Sequence, residues 1–503
     1  ATRLAHRRQA MNDSATALSI PAPTSTTVDL AKWEIVIGLE VHAELSTATK
    51  LFSSAPQLFG AEPNTNIDPL TLGLPGSLPV LNEQAVELAI RVGLALNCTV
   101  QRSVFARKNY FYPDLPKDYQ ISQFDLPIDI DGWLELPSGK HVGIERAHLE
   151  EDTGKSTHAG DTGRLQGASS SLIDYNRAGV PLLEIVSRPD IRDADQARAY
   201  VSELRSILVA VGASDGKMEE GSMRVDCNVS VRPQGSETLG TRCEIKNVNS
   251  LRSLGRAVDY EAARQVDLIE GGGTVRQETR HWNENDGRTH TLRVKEEADD
   301  YRYFADPDLV PCDPGEEWIE RVRAALPALP AARRVRLAEA VTSAGGPTGS
   351  PEGIAIVVDR SLDALVLAAI EAGANAARAL THAEHNLSDE RSAELDPAAF
   401  AKLVNLEVDG KLSATQAKTV LASLVAEGGD PADIAAAAGF EAMDTSELEG
   451  LVDTLIEDHP TEWGRFCEGD GKVTGFFVGQ VMRATKGQAD GKVVTQLLNA
   501  RKG

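Results

Sequence analysis

Trp33-Glu-Ile-Val-Ile-Gly-Leu-Glu-Val-His-Ala-Glu-Leu45 alternates with the period of a β-strand. Ile35, Ile37, Leu39 and Val41 fall on one side; Glu34, Val36, Gly38, Glu40, His42 and Glu44 fall on the other. Side chains two positions apart on a strand share one face of the sheet, roughly 6.5–7 Å apart along the backbone. One face can therefore pack on a core while the other turns an acid and an imidazole, Glu40 and His42, toward a single ion or ligand.

Two later stretches repeat this pattern. In Ser222–Arg232, Arg224, Asp226, Asn228, Ser230 and Arg232 alternate with Val225, Cys227, Val229 and Val231, with Glu219 and Glu220 just ahead. In Arg242–Lys246, Arg242, Glu244 and Lys246 alternate with Cys243 and Ile245. Any one of these is an ordinary solvated strand face. Three together predict an antiparallel sheet with one packed face and one wet, chemically equipped face. Val142–Asp152 ends in Glu150, Glu151 and Asp152, read as an acidic turn; adjacent carboxylates repel unless a cation neutralises them. The pooled acids with one imidazole suit Mg²⁺ or Mn²⁺ better than a thiophilic ion. Arg224, Arg242 and Lys246 are cations able to hold phosphate oxygens.

At 503 residues the chain is too long for one ordinary core. The expected fold class is α+β: a tail at 1–30, an antiparallel-sheet domain at 31–312, an all-α helical domain at 313–435 and a small helical tail domain at 436–503. Helical spacing runs through Glu83–Leu96, Glu316–Leu326, Ala331–Ala344, Gly353–Ala372, Glu394–Leu406, Lys411–Leu424 and Ala432–Ala438. No apolar run is long enough for a membrane span. A net charge of −24 argues against nucleic-acid binding by the whole surface. From Lys472 to Gly503, however, Lys472, Arg483, Lys486, Lys492, Arg501 and Lys502 oppose only Asp490. That segment is either a nucleic-acid patch or an ordinary basic end. The aromatic and basic loop Arg107–Tyr119 suits either stacking on a base or plugging a core edge. Five scattered cysteines form no C-x-x-C pair and fit a reduced, cytoplasmic protein, with Cys227 and Cys243 as core thiols. The Ser/Thr/Ala-rich first thirty residues read as a disordered tail or upstream extension rather than a targeting signal. Gly212-Ala-Ser-Asp-Gly-Lys-Met lacks P-loop spacing and reads as a turn; Gly167-Ala-Ser-Ser-Ser reads as a loop rather than a nucleophile site.

Several longer stretches resemble one known family. They include Gly38-Leu-Glu-Val-His, Leu72-Gly-Leu-Pro-Gly-Ser-Leu-Pro-Val-Leu-Asn, Lys108-Asn-Tyr-Phe-Tyr-Pro-Asp-Leu-Pro-Lys and His148-Leu-Glu-Glu-Asp-Thr-Gly-Lys. Asn176-Arg-Ala-Gly-Val-Pro-Leu-Leu-Glu-Ile-Val, Met218–Pro233, Glu244-Ile-Lys-Asn-Val-Asn-Ser, Asp300-Tyr-Arg-Tyr-Phe and Val478-Gly-Gln-Val-Met-Arg-Ala-Thr-Lys-Gly continue the match. In order from about Trp33 to the C-terminus, they resemble the B subunits of aspartyl/glutamyl-tRNA(Asn/Gln) amidotransferase. The resemblance implies a catalytic cradle that uses ATP and Mg²⁺ to phosphorylate the side-chain carboxylate of Glu-tRNA(Gln) or Asp-tRNA(Asn). It also implies a heterotrimer, with an amidase subunit supplying ammonia and a small bridging subunit.

Carried over by motif, Glu40, His42, Glu150 or Glu151, and Glu220 are metal-site residues. Asp226 and Glu244 are added from strand facing. Glu40, His42, Glu150 and Lys246 are expected to be catalytic; Arg224, Asn228 and Lys246 to hold nucleotide; and Lys472, Arg483 and Lys486 to grip tRNA. One departure stands out. Where many members carry a C-x-C and C-x-x-C zinc pattern, this chain has Ser53, Ala55, Asp68 and Thr71, so no zinc is expected. A non-catalytic tRNA adaptor and a free-standing ligase or hydrolase of small acids are the competing readings.

Overall fold

The structure, a computed structural model, describes residues 30–159, 169–294, 301–347, 349–440, 445–485, 489 and 491–502. Nearly all of the expected tail at 1–30, and Gly167 and Ala168 of the small-residue loop, lie outside them. Two compact units divide between Pro327 and Ala328.

Among its described residues the first unit contains strands β1 (Trp33–Glu44), β2 (Thr99–Val100), β3 (Val104–Asn109), β4 (Tyr119–Leu126), β5 (Asp129–Glu135), β6 (His141–Glu151) and β7 (Lys155–Ala159). It continues with β8 (Ser170–Asp174), β9 (Pro181–Ser187), β10 (Met223–Pro233), β11 (Cys243–Val248), β12 (Glu278–Asn283), β13 (Arg288–Val294) and β14 (Phe304–Ala305). Its helices are α1 (Glu83–Ala95), α2 (Ala194–Ala210), α3 (Leu251–Glu270) and α4 (Gly315–Ala324).

One large sheet runs β13-β12-β11-β10-β1-β9-β6-β4-β3-β14, with β5 also paired to β6 and β2 to β5; β7 and β8 form a separate hairpin. The opening strand thus lies inside the sheet, between β10 and β9. Its apolar side chains Ile37, Leu39 and Val41 are fully buried, as the alternation requires. Cys227 and Cys243 are buried too.

The strand faces alone predict a wholly antiparallel sheet, but β11 and β12 run parallel. Parallel neighbours need a crossover long enough to return the chain, and α3 is that crossover. Ser250 caps α3 by accepting from Ser253 N, and the helix buries Leu254, Ala257, Val258, Ala262 and Val266. A second correction concerns the acidic stretch: Glu150 and Glu151 end strand β6 rather than sitting in a turn. The first unit also runs past the turn-rich link near residue 310, because α4 packs on α1 and buries Val322.

The second unit is helical among its described residues. The expected single run Gly353–Ala372 is two helices, Pro351–Asp359 and Asp363–Glu371. Ser361 takes a left-handed φ of 57°, and Leu362 N donates to Val357 O at 2.9 Å, closing the first helix before the second begins. Buried side chains form two separate clusters, one from Leu337 to Ala435 and one from Leu448 to Leu498.

Candidate active site

Strand register places the polar groups of β11, β10, β1, β9 and β6 on one face. Glu40 lies opposite Asp226, His42 opposite both Arg224 and Glu184, His148 opposite Glu184, and Asn228 opposite Glu244. Paired residues on adjacent strands point the same way. Two clusters result.

In the first, His42 Nε2 lies 3.5 Å from Glu150 Oε1 and 3.5 Å from Glu184 Oε2. One ligand atom from each of these residues falls within 4.8 Å of the others. His148, 0% exposed, sits beside them with Nε2 3.4 Å from Glu184 Oε2. Neither of its ring nitrogens has a hydrogen-bond partner. In the second cluster, Glu40, Asp226 and Glu244 meet within the same 4.8 Å limit. Asn228 Nδ2 donates to Glu40 Oε1 at 2.9 Å, and Thr279 Oγ1 donates to Glu244 Oε2 at 2.8 Å. Lys246 Nζ pairs with Asp226 and, at 3.1 Å, with Glu244.

Burial works against the His42 imidazolium, but the hydrogen bond and charge of Glu184, with Glu150 and Asp226, outweigh it and raise the ring to about 9. Glu150 is raised to about 7 by burial and by the Glu184 charge. Burial also opposes the Glu184 carboxylate, yet the His148 and His42 rings and Arg146 hold it below its ordinary range. His148 is pushed down to about 4 by burial and stays neutral near pH 7. Lys246 keeps its charge because Asp226 and Glu244 outweigh its burial. Two environments pushed apart in this way on one sheet face mark a site built for ionic chemistry.

The sequence-derived residues divide accordingly. Glu40, His42, Glu150, Asp226, Asn228, Glu244 and Lys246 are brought together. Glu151 is not: successive residues of a strand face opposite sides, so it turns away from Glu150, pairs with Lys117 and accepts from Ile121 N at 2.8 Å. Glu220 stands in the turn before β10, 3.1 Å from Lys217 Nζ, and joins neither cluster. Arg224 reaches Asp152, which Arg177 also approaches at 3.4 Å. Arg242 lines a cavity of about 160 Å³ with Gly38, Glu40 and Asn228. Arg483 is exposed near the end of the helix Lys472–Ala484; Lys486 lies outside the described residues.

Glu184 and His148 escaped the sequence reading, although His148 and Glu150 repeat the i, i+2 pairing of acid and imidazole seen at Glu40 and His42. The two clusters, rich in hard oxygen donors and flanked by the orphaned His148 nitrogens and the unpartnered Asn228 Oδ1, fit Mg²⁺. The zinc positions do not fit zinc. Ala55 has no side-chain donor, and Asp68 is already engaged by Thr71 N and Oγ1 at 2.8 and 2.7 Å.

Residues 35–320 match the family model described as the GatB/GatE catalytic domain, and 371–501 match the GatB domain. Curated relatives are similar along nearly their whole length. The B subunit of the aspartyl/glutamyl-tRNA(Asn/Gln) amidotransferase from Corynebacterium glutamicum is 47% identical over 93% of this chain and 98% of its own. The protein of the same name from Mycobacterium sp. (strain KMS) is 49% identical over 94% and 96%. That from Synechococcus elongatus is 45% identical over 95% and 99%. The wet sheet face and these matches agree: the chain belongs to the GatB/GatE family of tRNA amidotransferase B subunits.

Proposed function

We propose that this chain uses ATP to phosphorylate the side-chain carboxylate of Glu-tRNA(Gln), Asp-tRNA(Asn) or both, after which ammonia displaces the phosphate to leave the amide. The observation that carries this reading is the pair of carboxylate clusters on one face of five neighbouring strands. The family's named members are aminoacyl-tRNA amidotransferase subunits. In the first step a carboxylate oxygen attacks the γ-phosphorus, the bond to the β-bridging oxygen breaks, and ADP leaves. In the second the nitrogen lone pair attacks the acyl carbon, phosphate leaves with the bonding electrons, and the nitrogen loses a proton.

Mg²⁺ would be held by His42, Glu150 and Glu184 and by Glu40, Asp226 and Glu244, where it would offset carboxylate repulsion and supply Lewis-acid charge to phosphate oxygens. Lys246 and Arg224 offer permanent positive charge to phosphate oxygens. Asn228 orients the Glu40 carboxylate, and the cavity along Gly38 and Arg242 leaves room for part of the nucleotide. His148, fully buried 3.4 Å from Glu184 Oε2, stays neutral near pH 7.

In this reading the catalytic cradle proposed for 31–312 extends through α4, a helical domain follows to 435, and 436–503 is a tRNA-gripping tail. An amidase subunit supplies ammonia, a small third subunit joins the two, and the assembly works in the cytoplasm. Among the described residues no helix is long and apolar enough to cross a membrane.

The direct test reconstitutes the chain with those partners and follows ATP-dependent amidation of Glu-tRNA and Asp-tRNA. Glu40→Gln should lower the rate about 100-fold. Full activity in the variant would sink the metal assignment and favour an adaptor; turnover without tRNA would favour a small-acid ligase. For the tail, reversing the charge of Lys472, Arg483 and Lys486 should raise the tRNA KM about 5- to 10-fold and flatten its salt dependence. Glutamine hydrolysis should not change. An unaltered KM would place tRNA binding elsewhere.

A further inference from the structure

Between β1 and α1 the chain makes an excursion that closes on itself. Lys50 N donates to Ala55 O at 3.0 Å, Val80 N to Phe52 O at 2.8 Å and Asn82 N to Leu51 O at 2.8 Å, while Leu51 N donates to Gly179 O at 2.9 Å. At the centre lies Lys50, 1% exposed. A buried ammonium is tolerated only where acceptors and opposite charge surround it. Lys50 Nζ donates to Tyr175 O at 3.2 Å and lies 3.5 Å from Thr71 Oγ1. Thr71 in turn donates to Asp68, which the Ser53 hydroxyl also bonds. Burial lowers the Lys50 ammonium to about 8, and the charges of Asp68, Glu151 and Asp174 resist that shift, so near pH 7 it remains a cation.

Ser53, Asp68 and Thr71 therefore form one hydrogen-bonded chain, and through Thr71 and the Asp68 charge it faces an ammonium. Hydroxyls and one carboxylate make a poor nest for a thiophilic ion and a good one for an N–H donor. The ammonium also reaches beyond the loop, because Tyr175 belongs to the turn leading into β9. Asn64 and Asn66 fasten the same turn: Asn64 N donates to Asp174 Oδ1 at 3.0 Å and Asn66 N to Asn176 Oδ1 at 2.8 Å.

We infer that the Lys50 ammonium is the resident cation of this loop, tying residues 46–82 to the turn before β9 in place of a metal ion. The tie is distinct from both carboxylate clusters, so it stands or falls separately from the proposed reaction.

The full-length chain allows two independent measurements. Elemental analysis of purified wild type should find less than about 0.1 zinc per chain, and a zinc-selective chelator in saturating Mg²⁺ should leave its Tm unchanged. Stoichiometric zinc, or a Tm that falls with chelator, would overturn the inference whatever the variants do. Lys50→Met keeps length and removes charge and donor. Hydrogen exchange in peptides covering 53–81 should become about tenfold faster than in wild type, with exchange in β10 and β11 unchanged. Equal protection of the loop in Lys50→Met and wild type would also overturn it.

Discussion

Glu184→Gln is expected to lower aminoacyl-tRNA-dependent ATP turnover by about 10²–10³-fold, the loss typical of deleting one preorganised electrostatic group. The amide keeps the shape of the side chain, so the fold has no reason to change. What disappears is the charge lying between two imidazoles, 3.5 Å from His42 and 3.4 Å from His148. Two further shifts should follow. His42 loses the partner that holds it near 9, so its pKa falls; Glu150 loses the like charge that helps raise it to about 7, so its pKa falls as well. Stability near pH 7 should fall, because the fold favours the Glu184 carboxylate and the amide leaves the buried His42 imidazolium without its main partner. Steady-state ATP turnover by the reconstituted enzyme, thermal melting, and the His42 ring shift by NMR separate these effects. A turnover within threefold of wild type would exclude Glu184 from the machinery.

Glu184 is also where sequence reasoning failed most informatively. It sits in Pro181-Leu-Leu-Glu-Ile-Val-Ser, flanked by side chains that are nearly all buried. Such a run shows no alternation, so period alone assigns its acid to neither face. The available signal was energetic: an acid inside an apolar strand costs several kcal/mol unless something pairs with it. By contrast, β1 and β10 alternate cleanly, and their faces could be read directly: Glu40 and Asp226 meet across the strand pair as their spacing implies. Glu244 and Lys246 follow on β11 for the same reason.

Reading 150–152 as a turn hid a rule that separates the acids. On a strand Glu150 and Asp152 share a face and Glu151 leaves it. The structure shows that split, with Glu151 on Lys117 and Asp152 on Arg224. The parallel β11–β12 pair was equally hidden, since strand faces say nothing of direction; the helical stretch Leu251–Glu270 between them was the clue. Ser361, an ordinary residue in a left-handed turn, carries no Gly or Pro to announce the helix break.

The second large effect concerns protons. If His42, Glu150 and Glu184 receive a divalent cation, His42 must give up its proton, because only the neutral ring has a lone pair to offer. With His42 raised to about 9, metal affinity should tighten about tenfold per pH unit from pH 7 to near 9, one proton leaving per ion bound. Below about pH 7 Glu150 is protonated too, so the slope should steepen toward two. The sign for stability without metal is opposite. A histidine whose folded pKa exceeds its unfolded value of 6.5 stabilises fully below 6.5, and that contribution is lost as pH rises through 9. Raising pH should therefore loosen the metal-free protein in this region while strengthening its hold on Mn²⁺. Calorimetric Mn²⁺ titrations in buffers of different ionisation enthalpy count the released protons, and His42→Asn should abolish the release between pH 7 and 9. A metal affinity that is flat over that interval in the wild type would mean that His42 does not coordinate the ion.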